Sequence, residues 1–357
     1  MREHLSRIGL ILVGIGSAIG LGNIWRFPYV VGTSGGGAFL IPYLIAVILF
    51  GLPVIMIELA AGRKFQGSVV TTFRKIKSSL GPLGILPVLI CLGILSYYLV
   101  IMGWVLAFVY FSFVGYPSFD SFTLSNLPFL FFLICLFAVF LVDRQGIKKG
   151  IEKICRLMMP LLFVFLLFLM GKALLLPGAR AGLLFYLKPD LSALSDPKVW
   201  ALAFGQAFFS MSAGWGIMMT FGSYMRKKDS IITSSLWIAG ADTLVALLAG
   251  FIIFPIVFSF GMDPAAGPQL AFVTLPAIFS AMPLGHFLGG LFFTLLFIGG
   301  FTSAVSIIEV CTTVFVDESK IDRRKASAFA VILTLFLGIP SVLSYGVSSL
   351  LVWHALP

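Results

Sequence analysis

The stretch GIGSAIGLGNIWR, from Gly14 to Arg26, decides the fold of this 357-residue chain. It lies in an apolar segment long enough to cross a bilayer, since about 20 apolar residues span a hydrocarbon core of about 30 Å. Its clustered glycines weaken the helix, because each costs about 1 kcal/mol relative to alanine. Unwound backbone at mid-membrane depth is tolerated only where it lines a cavity or is buried in protein. We therefore predict a helix that breaks around a binding site.

A second segment, SMSAGWG from Ser210 to Gly216, also places glycines and other small residues within an apolar span. It falls in the sixth predicted span, so the two irregular segments would each open one half of a transporter built from inverted repeats. Paired broken helices in such transporters mark the substrate and ion site near the midplane. Gly16 and Gly20 also form a GxxxG pattern, which alone would indicate a helix-packing face. A dinucleotide-binding loop is excluded because no strand precedes the glycines.

The composition indicates an all-α polytopic membrane protein. Hydrophobic residues make up 60% of the chain and charged residues 11%, with a mean hydropathy of +1.09. Ordinary soluble domains have roughly 45–50% apolar and 25% charged residues, so soluble enzymes, disordered chains and disulfide scaffolds are excluded. The three histidines fall near span ends, and the sequence has no HExxH motif or nucleophile elbow. We predict that the protein is not an enzyme.

The basic residues predict the topology. Of the 24 lysines and arginines, 19 fall in short clusters that share one side if the N-terminus is cytoplasmic. This bias is typical of a multi-pass protein of the plasma or inner membrane, and a nucleic-acid partner is not expected. We predict one transporter domain over 1–357, with a first repeat at 8–177 and an incomplete second repeat at 200–345. The nine predicted spans lie near 8–31, 38–61, 84–113, 128–142, 157–177, 200–224, 232–260, 288–316 and 326–345.

Four ionisable residues are assigned to the hydrocarbon region of the membrane: Arg26, Glu58, Asp242 and Glu309. Such residues cost about 2.5–3.5 kcal/mol each on insertion scales and usually face a cavity or a partner. Asp242 has no basic neighbour in sequence, so an ion-binding role is favoured over a structural hydrogen bond. For Glu58, a structural pairing and a functional role are both open. Arg26 follows the first break and is placed to close an external vestibule.

Several motifs resemble the neurotransmitter:sodium symporter family, in order and over essentially the whole chain. They are GSAIGLGNIWRFPYVVGTSGGGAFLIPYLI from Gly16, GLPVIMIELAAGR from Gly51, the pair Tyr97 and Tyr98, KGIEK from Lys149 with Met159 and Pro160, DPKVWALAFGQAFFS from Asp196, GSYMRK from Gly222 and GGFTS from Gly299. The resemblance implies an inverted-repeat, leucine-transporter-like fold with broken first and sixth helices. It also implies a Na⁺-coupled symporter of a neutral amino acid that works by alternating access.

The resemblance implies a substrate pocket and two sodium sites. Tyr98 and the backbone amides of Gly20 and Gly22 would hold the substrate carboxylate. The rest of the pocket would be formed by Ser17, Ala18, Ile94, Phe209, Ser210, Ser212, Trp215, Ser303 and Ile307. The first sodium site would use Ala18, Asn23, Ser210 and Asp242, and the second Gly16, Ile19, Gly299, Thr302 and Ser303. Trp215 would fill volume in the pocket, which favours a small or medium substrate, although an indole can also stack on an aromatic one.

The resemblance also implies gates and a specific charge arrangement. Arg26 would close the external gate, and Arg2 would pair with Asp317 at the internal gate, beside Tyr224 and Glu309. The bacterial leucine transporter has asparagine at the position of Asp242 and an acid at that of Ala246, where chloride-dependent members have serine. Asp242 would therefore supply a fixed negative charge near Tyr43, Gln206 and Ser210, which predicts chloride independence.

The family has further spans after the ninth, whereas this sequence stops at Pro357. Three explanations are open: a naturally short product, a fragment, or a second chain that completes the fold. A homo-oligomer is also open. The alternative function is a membrane protein that binds amino acid or Na⁺ as a sensor or subunit without transporting it.

Overall fold

The computed structural model describes residues 3–264 and 270–344. Within these ranges the secondary structure is helical, without strands. The α-helices are α1 (Arg7–Ala18), α2 (Phe27–Thr33), α3 (Leu40–Ala46), α4 (Leu52–Phe65), α5 (Val69–Ile76), α6 (Ile85–Val114), α7 (Phe119–Thr123), α8 (Leu127–Asp143), α9 (Lys153–Leu174), α10 (Ala179–Leu187), α11 (Pro197–Ser210), α12 (Ile217–Gly222), α13 (Ile231–Ser259), α14 (Leu275–Ala281), α15 (Gly285–Ser319) and α16 (Arg323–Leu343).

The predicted break in the first span is present. Helix α1 ends at Ala18, and Ile19 takes an extended conformation, with φ −74° and ψ 115°. A π-helical turn, Gly22–Arg26, then continues into α2. The segments before and after the break are inclined by 48°. The glycine-rich sequence therefore bends the span at the expected place.

The sixth span is also broken as predicted. Helix α11 ends at Ser210 and α12 begins at Ile217. Between them Ser212, Gly214 and Gly216 have positive φ angles of 51°, 87° and 76°. Glycine adopts this left-handed conformation at little cost, so the two glycines let the backbone leave helical geometry between the half-helices.

Helices α6 and α15 form the centre of the bundle and pack extensively on each other. In the most apolar window of α15, 83% of the residues are buried, against 28% in the window of the Ile147–Leu174 segment that includes α9. Helix α1 lies in the interior, in contact with α9, α13 and α15. The first break is therefore surrounded by protein, as unwound backbone in a membrane requires.

In the part of the chain that the structure describes, six helical segments are long and apolar enough to cross a membrane, and the bent pair formed by α1 and Gly22–Thr33 makes a seventh candidate. Helix α8, with 17 residues, is slightly shorter than a full span, and the half-helices α11 and α12 are shorter still. The protein is thus a multi-pass membrane protein. The count of nine spans stays a prediction.

The predicted basic clusters meet at one end of the bundle. Backbone and side-chain bonds link the segments that carry them: Leu5 N–H to the Tyr224 carbonyl (3.1 Å), Arg63 to the Asp229 carbonyl (2.6 Å), Arg74 to Glu318 (2.6 Å) and Arg323 to the Asp143 carbonyl (3.0 Å). We refer to this as the basic end. Arg2 lies outside the described residues.

Close helix contacts at glycine predict a specific sensitivity. A Cβ atom at Gly62 would lie 2.0 Å from the Met219 carbonyl oxygen of α12, whereas one at Gly93 would meet nothing within 4 Å. We expect Gly62→Ala to lower the free energy of unfolding by about 1–3 kcal/mol, because overpacking displaces backbone. Gly93→Ala is the matched control and should leave thermal unfolding in detergent unchanged or slightly improved. Equal unfolding temperatures for the two variants would contradict this packing.

Candidate substrate and sodium site

A cavity lies between the two helix breaks, and the structure brings all twelve predicted pocket residues to its wall. They come from the first break (Ser17, Ala18, Gly20, Gly22), α6 (Ile94, Tyr98), α11 and the second break (Phe209, Ser210, Ser212, Trp215), and α15 (Ser303, Ile307). The space open to the centre of a water molecule is about 20 Å³, roughly enough for one water. An amino acid would therefore require the walls to move apart.

The polar end of the cavity is formed by Tyr98 and the first break. The Tyr98 hydroxyl accepts a long hydrogen bond from the Leu21 N–H, at 3.5 Å. A Cβ atom at Gly20 would lie 2.9 Å from the Tyr98 hydroxyl and 2.7 Å from Ser303 Oγ. Only glycine fits here without displacing both hydroxyls, so the close approach of Tyr98 and Ser303 to the first break depends on Gly20.

One detail of the predicted carboxylate site is different. The Gly20 N–H, expected to face the substrate, donates to Asn23 Oδ1 at 3.0 Å. Asn23 lies in the π-helical turn Gly22–Arg26, and its side chain points back toward the break. In this conformation the Leu21 N–H is the amide directed at the Tyr98 hydroxyl.

The other wall of the cavity is apolar. The rings of Phe209 and Trp215 meet edge to face, with centroids 5.4 Å apart. The Arg26 guanidinium lies 5.3 Å from the centre of the Phe209 ring and donates to the Gln206 side chain. Arg26 therefore covers one side of this aromatic wall, and its role as an external gate stays a prediction. The Ser17 hydroxyl is buried in the same cavity and has no hydrogen-bond partner among the described residues.

Asp242 lies at the centre of a polar cluster that joins both breaks. Its carboxylate accepts from Asn23 Nδ2 at 2.7 Å and from Ser210 Oγ at 2.8 and 2.9 Å. Asn23 Nδ2 also bonds to Ser210 Oγ, at 2.9 Å. Asp242, Asn23 and Ser210 are all almost fully buried. Three of the four residues predicted for the first sodium site are thus assembled, and the fourth, Ala18, lies on the cavity wall. Asn23 would have to reverse its amide to present an oxygen to an ion.

The charge of Asp242 is not compensated by a basic side chain. In the part of the chain that the structure describes, no lysine, arginine or histidine forms an ion pair with it. Tyr43, predicted to lie nearby, is fully buried, and its hydroxyl has no hydrogen-bond partner in the described residues. A buried carboxylate without a cationic partner is costly. The cluster therefore suits a bound monovalent cation.

The five residues predicted for the second sodium site also meet. The Ser303 hydroxyl is within 3.0 Å of the Ser17 and Ile19 carbonyl oxygens and 3.4 Å from that of Gly16. Thr302 Oγ1 lies 3.0 Å from the Gly299 carbonyl oxygen. All of these potential ligand atoms are neutral oxygens, and hard cations prefer oxygen ligands. Among the described residues no group of three or more His, Cys, Asp or Glu could hold a metal.

Glu58 binds the unwound backbone of the second break. Its Oε1 accepts the N–H groups of Gly214, at 3.0 Å, and Gly216, at 3.3 Å. These amides are left without helical partners by the second break. Glu58 thus satisfies the unwound backbone, and of its two open roles the structure favours the structural one.

At the basic end, Glu309 bonds to a partner that the sequence analysis did not select. It accepts from the Tyr224 hydroxyl at 2.5 Å, as expected, and also from Arg323, which bonds to Asp143 as well. Both carboxylates are completely buried. Neither Arg323 nor Asp143 was among the residues predicted to form a gate. The only feature of the sequence that could have indicated this contact is that the two residues carry opposite charges at the ends of neighbouring helices.

The predicted pairing of Arg2 with Asp317 stays a prediction, because Arg2 lies outside the described residues. Asp317 itself accepts the Ser68 N–H at 2.6 Å, at the N-terminus of α5. This contact ties the α4–α5 connection to the end of α15.

The chain matches the model of the sodium:neurotransmitter symporter family over residues 2–121 and 118–355. It is 37% identical to the uncharacterized sodium-dependent transporter YhdH of Bacillus subtilis, over 97% of this chain and 80% of that protein. An uncharacterized sodium-dependent transporter of Haemophilus influenzae is 34% identical, over 95% and 79%. The sodium- and chloride-dependent taurine transporter of Bos taurus is 31% identical, over 87% of this chain and 60% of that protein.

The fold is similar to that of MhsT, solved in complex with L-phenylalanine. The TM-score is 0.91 at 40% sequence identity, over 97% of this chain and 82% of that one. This similarity confirms the predicted inverted-repeat fold, and the named relatives are transporters rather than enzymes. The sequence, the broken helices and these similarities agree: the chain belongs to the sodium:neurotransmitter symporter family and is a sodium-coupled, multi-pass membrane transporter.

Proposed function

We propose that this protein is a sodium-driven symporter of a neutral amino acid that needs no chloride. The observation that carries the proposal is the buried Asp242 carboxylate beside the substrate cavity, which Asn23 and Ser210 hold and which pairs with no basic side chain of the described residues. A sodium ion at this position would compensate the carboxylate. In chloride-dependent relatives an anion would perform the same electrostatic role, and a built-in acid makes that anion unnecessary.

The nature of the cavity supports a neutral amino acid. Its twelve lining residues include no charged side chain, so a charged substrate side chain would be buried without a partner, which is costly. Tyr98 and the first break offer polar contacts to a carboxylate, and the buried Ser17 hydroxyl is free to accept from an ammonium group. MhsT was solved with L-phenylalanine and a relative is named for taurine, which supports amino acids and similar zwitterions as the substrate class.

We infer two sodium ions, one for each set of oxygens. The first set includes the fixed charge of Asp242, and the second, around Thr302 and Ser303, is neutral. Both sets draw carbonyl or side-chain oxygens from the first break, so ion binding and substrate binding would stabilise the same backbone conformation. Each inward-moving charge contributes about 2.3 kcal/mol per 100 mV of membrane potential.

The basic end is assigned to the cytoplasm of a plasma or inner membrane, following the charge bias. The Arg323 network around Glu309, and the predicted contact of Arg2 with Asp317, would then close the internal side. Arg26 would close the external side over Phe209. The division into two repeats at 8–177 and 200–345 gives each half one broken helix, as alternating access requires. A homo-oligomer and a completing chain both stay open.

The second sodium site can be tested with two threonines. Thr302→Ala should raise the Na⁺ concentration that half-saturates substrate binding at least tenfold, because it removes an oxygen that the bilayer cannot replace. Thr334→Ala in α16 is the matched control: Thr334 is also buried, and its hydroxyl also bonds the carbonyl four residues earlier. Substrate binding titrated with Na⁺ in detergent should separate the two. Identical Na⁺ titrations would refute the site.

Chloride independence is tested at Asp242. Wild-type protein should bind substrate in the presence of Na⁺ equally well in chloride and in gluconate. Asp242→Asn removes the fixed charge while keeping the shape, so binding in gluconate should fall at least tenfold, with partial recovery in chloride if the anion enters. A wild-type protein that requires chloride would show that Asp242 is not the compensating charge, and thermal unfolding of the variant provides the folding control.

Substrate size is tested at Trp215. The indole contacts Phe209 and occupies the cavity wall, so Trp215→Ala should shift preference toward large side chains. We expect the affinity for L-tryptophan relative to L-alanine to rise at least tenfold, since pocket volume discriminates by about 1–3 kcal/mol per methylene. Trp237→Ala, at a tryptophan 60% exposed on α13, is the control. Equal loss of binding for all amino acids would contradict a volume-filling role.

A further inference from the structure

A groove of about 630 Å³ lies at the basic end, away from the substrate cavity. It is lined by Ser6, Gln145, Lys148, Lys149, Glu152, Lys153 and Arg156, and we call it the basic groove. It sits where a π-helical turn, Ile147–Glu152, leads into α9. The proposed transport mechanism uses none of its side chains.

The groove carries a local excess of positive charge. Its one acid, Glu152, is already engaged: Oε1 accepts from Arg156 at 2.5 Å and from the Ser6 hydroxyl at 2.6 Å. Lys148, Lys149 and Lys153 are exposed, and no carboxylate of the described chain pairs with them. Three unpaired ammonium groups around one concave surface favour a multivalent anionic group such as a phosphate.

An apolar stripe continues from the groove along the same helix. Leu157, Leu161 and Val164 of α9 are 68%, 37% and 61% exposed. They follow Lys153 at intervals of four, four and three residues, so they lie on one face of the helix. The segment Ile147–Leu174 is a candidate membrane span, and the stripe therefore faces hydrocarbon directly beside the lysines. A ligand that matches both parts has an anionic head and an acyl chain.

We propose that the basic groove is a binding site for an anionic phospholipid of the adjacent leaflet. The phosphate lies against Lys148, Lys149 and Lys153, and an acyl chain follows Leu157 and Leu161. Basic clusters next to a transmembrane helix attract anionic lipids, and here the groove adds a shape that surface lysines alone lack. The proposal depends on neither the transport direction nor the substrate.

The site is connected to the start of α1. The Ser6 hydroxyl, which bonds to Glu152, also accepts the Gly9 N–H and so caps α1. A Cβ atom at Gly9 would lie 2.2 Å from the Glu152 carboxyl group, which shows how tightly the two helices meet. A lipid bound across the lysines would therefore hold the α9 turn in place against α1 and should raise the unfolding temperature.

The test measures the rise in unfolding temperature of the full chain in a neutral detergent as phosphatidylglycerol is added. The groove variant replaces Lys148, Lys149 and Lys153 with Gln. The control variant makes the same change at Lys227, Lys228 and Lys325, exposed lysines of the same end that do not line the groove. Each groove lysine should contribute about fivefold in affinity, so half-saturation should shift about 100-fold in the groove variant and less than threefold in the control.

Four outcomes would overturn the proposal. Equal shifts in the two variants would indicate general attraction to charge, and equal stabilisation of the wild-type protein by phosphatidylcholine would indicate an unspecific lipid shell. Stabilisation by inorganic phosphate at the same concentration would indicate a site for free anions. If the unfolding temperature of the triple variant is too low for a lipid titration, the single variant Lys153→Glu replaces it. Half-saturation should then shift at least tenfold, and no shift would overturn the proposal. Na⁺-dependent amino-acid binding should persist in the groove variant, which keeps this test separate from the proposed function.

Discussion

The structure depends on the buried carboxylate of Asp242, which has no basic partner among the described residues. Asp242 of α13 is reached from the first break by Asn23 and from the second by Ser210, so the three side chains join the two irregular segments at the centre of the bundle. An ionised group in such surroundings needs a cation or a set of hydrogen bonds. Here the hydrogen bonds are present, and the proposed sodium ion would supply the charge.

The same constraint explains how substrate and ions could be coupled. The first break supplies wall residues to the cavity, carbonyl oxygens to the Ser303 hydroxyl and Asn23 to the Asp242 cluster. A change in the backbone at Ile19 to Gly22 therefore alters all three sites together. The cavity is also too small for an amino acid in this conformation. Substrate entry must move the walls, and the ions would favour the conformation that binds substrate.

Much of the site could be predicted from the sequence, because glycine clusters within apolar segments have few explanations in a membrane. Gly16, Gly20 and Gly214 predicted where the helices break, and the resemblance to a family then supplied residues from α6 and α15, which no local pattern connects to the breaks. The inner network was missed because Arg323 and Asp143 are 180 residues apart. The hydrogen bond from Gly20 to Asn23 was missed because it depends on the backbone geometry after the turn.

Glycines and acidic residues also differ in how much of their role can be predicted from the sequence alone. A glycine that admits a close neighbour, as Gly20 admits Tyr98 and Ser303, is recognised only once the partner helix is in place. An acid within an apolar span indicates by itself that a partner must exist, as Asp242 does. The identity of that partner is a question of tertiary structure, and for Glu58 it proved to be the freed amides of the second break.

The most direct test of this account is uptake by purified protein reconstituted into liposomes, with labelled neutral amino acid and ²²Na⁺ outside and gluconate as the only added anion. The account predicts accumulation above the external amino-acid concentration that requires an inward Na⁺ gradient, increases with an inside-negative potential and takes up two Na⁺ per amino acid. Binding of amino acid without accumulation would contradict symport and favour a sensor or subunit. Accumulation that begins only when chloride is added would contradict the role given to Asp242.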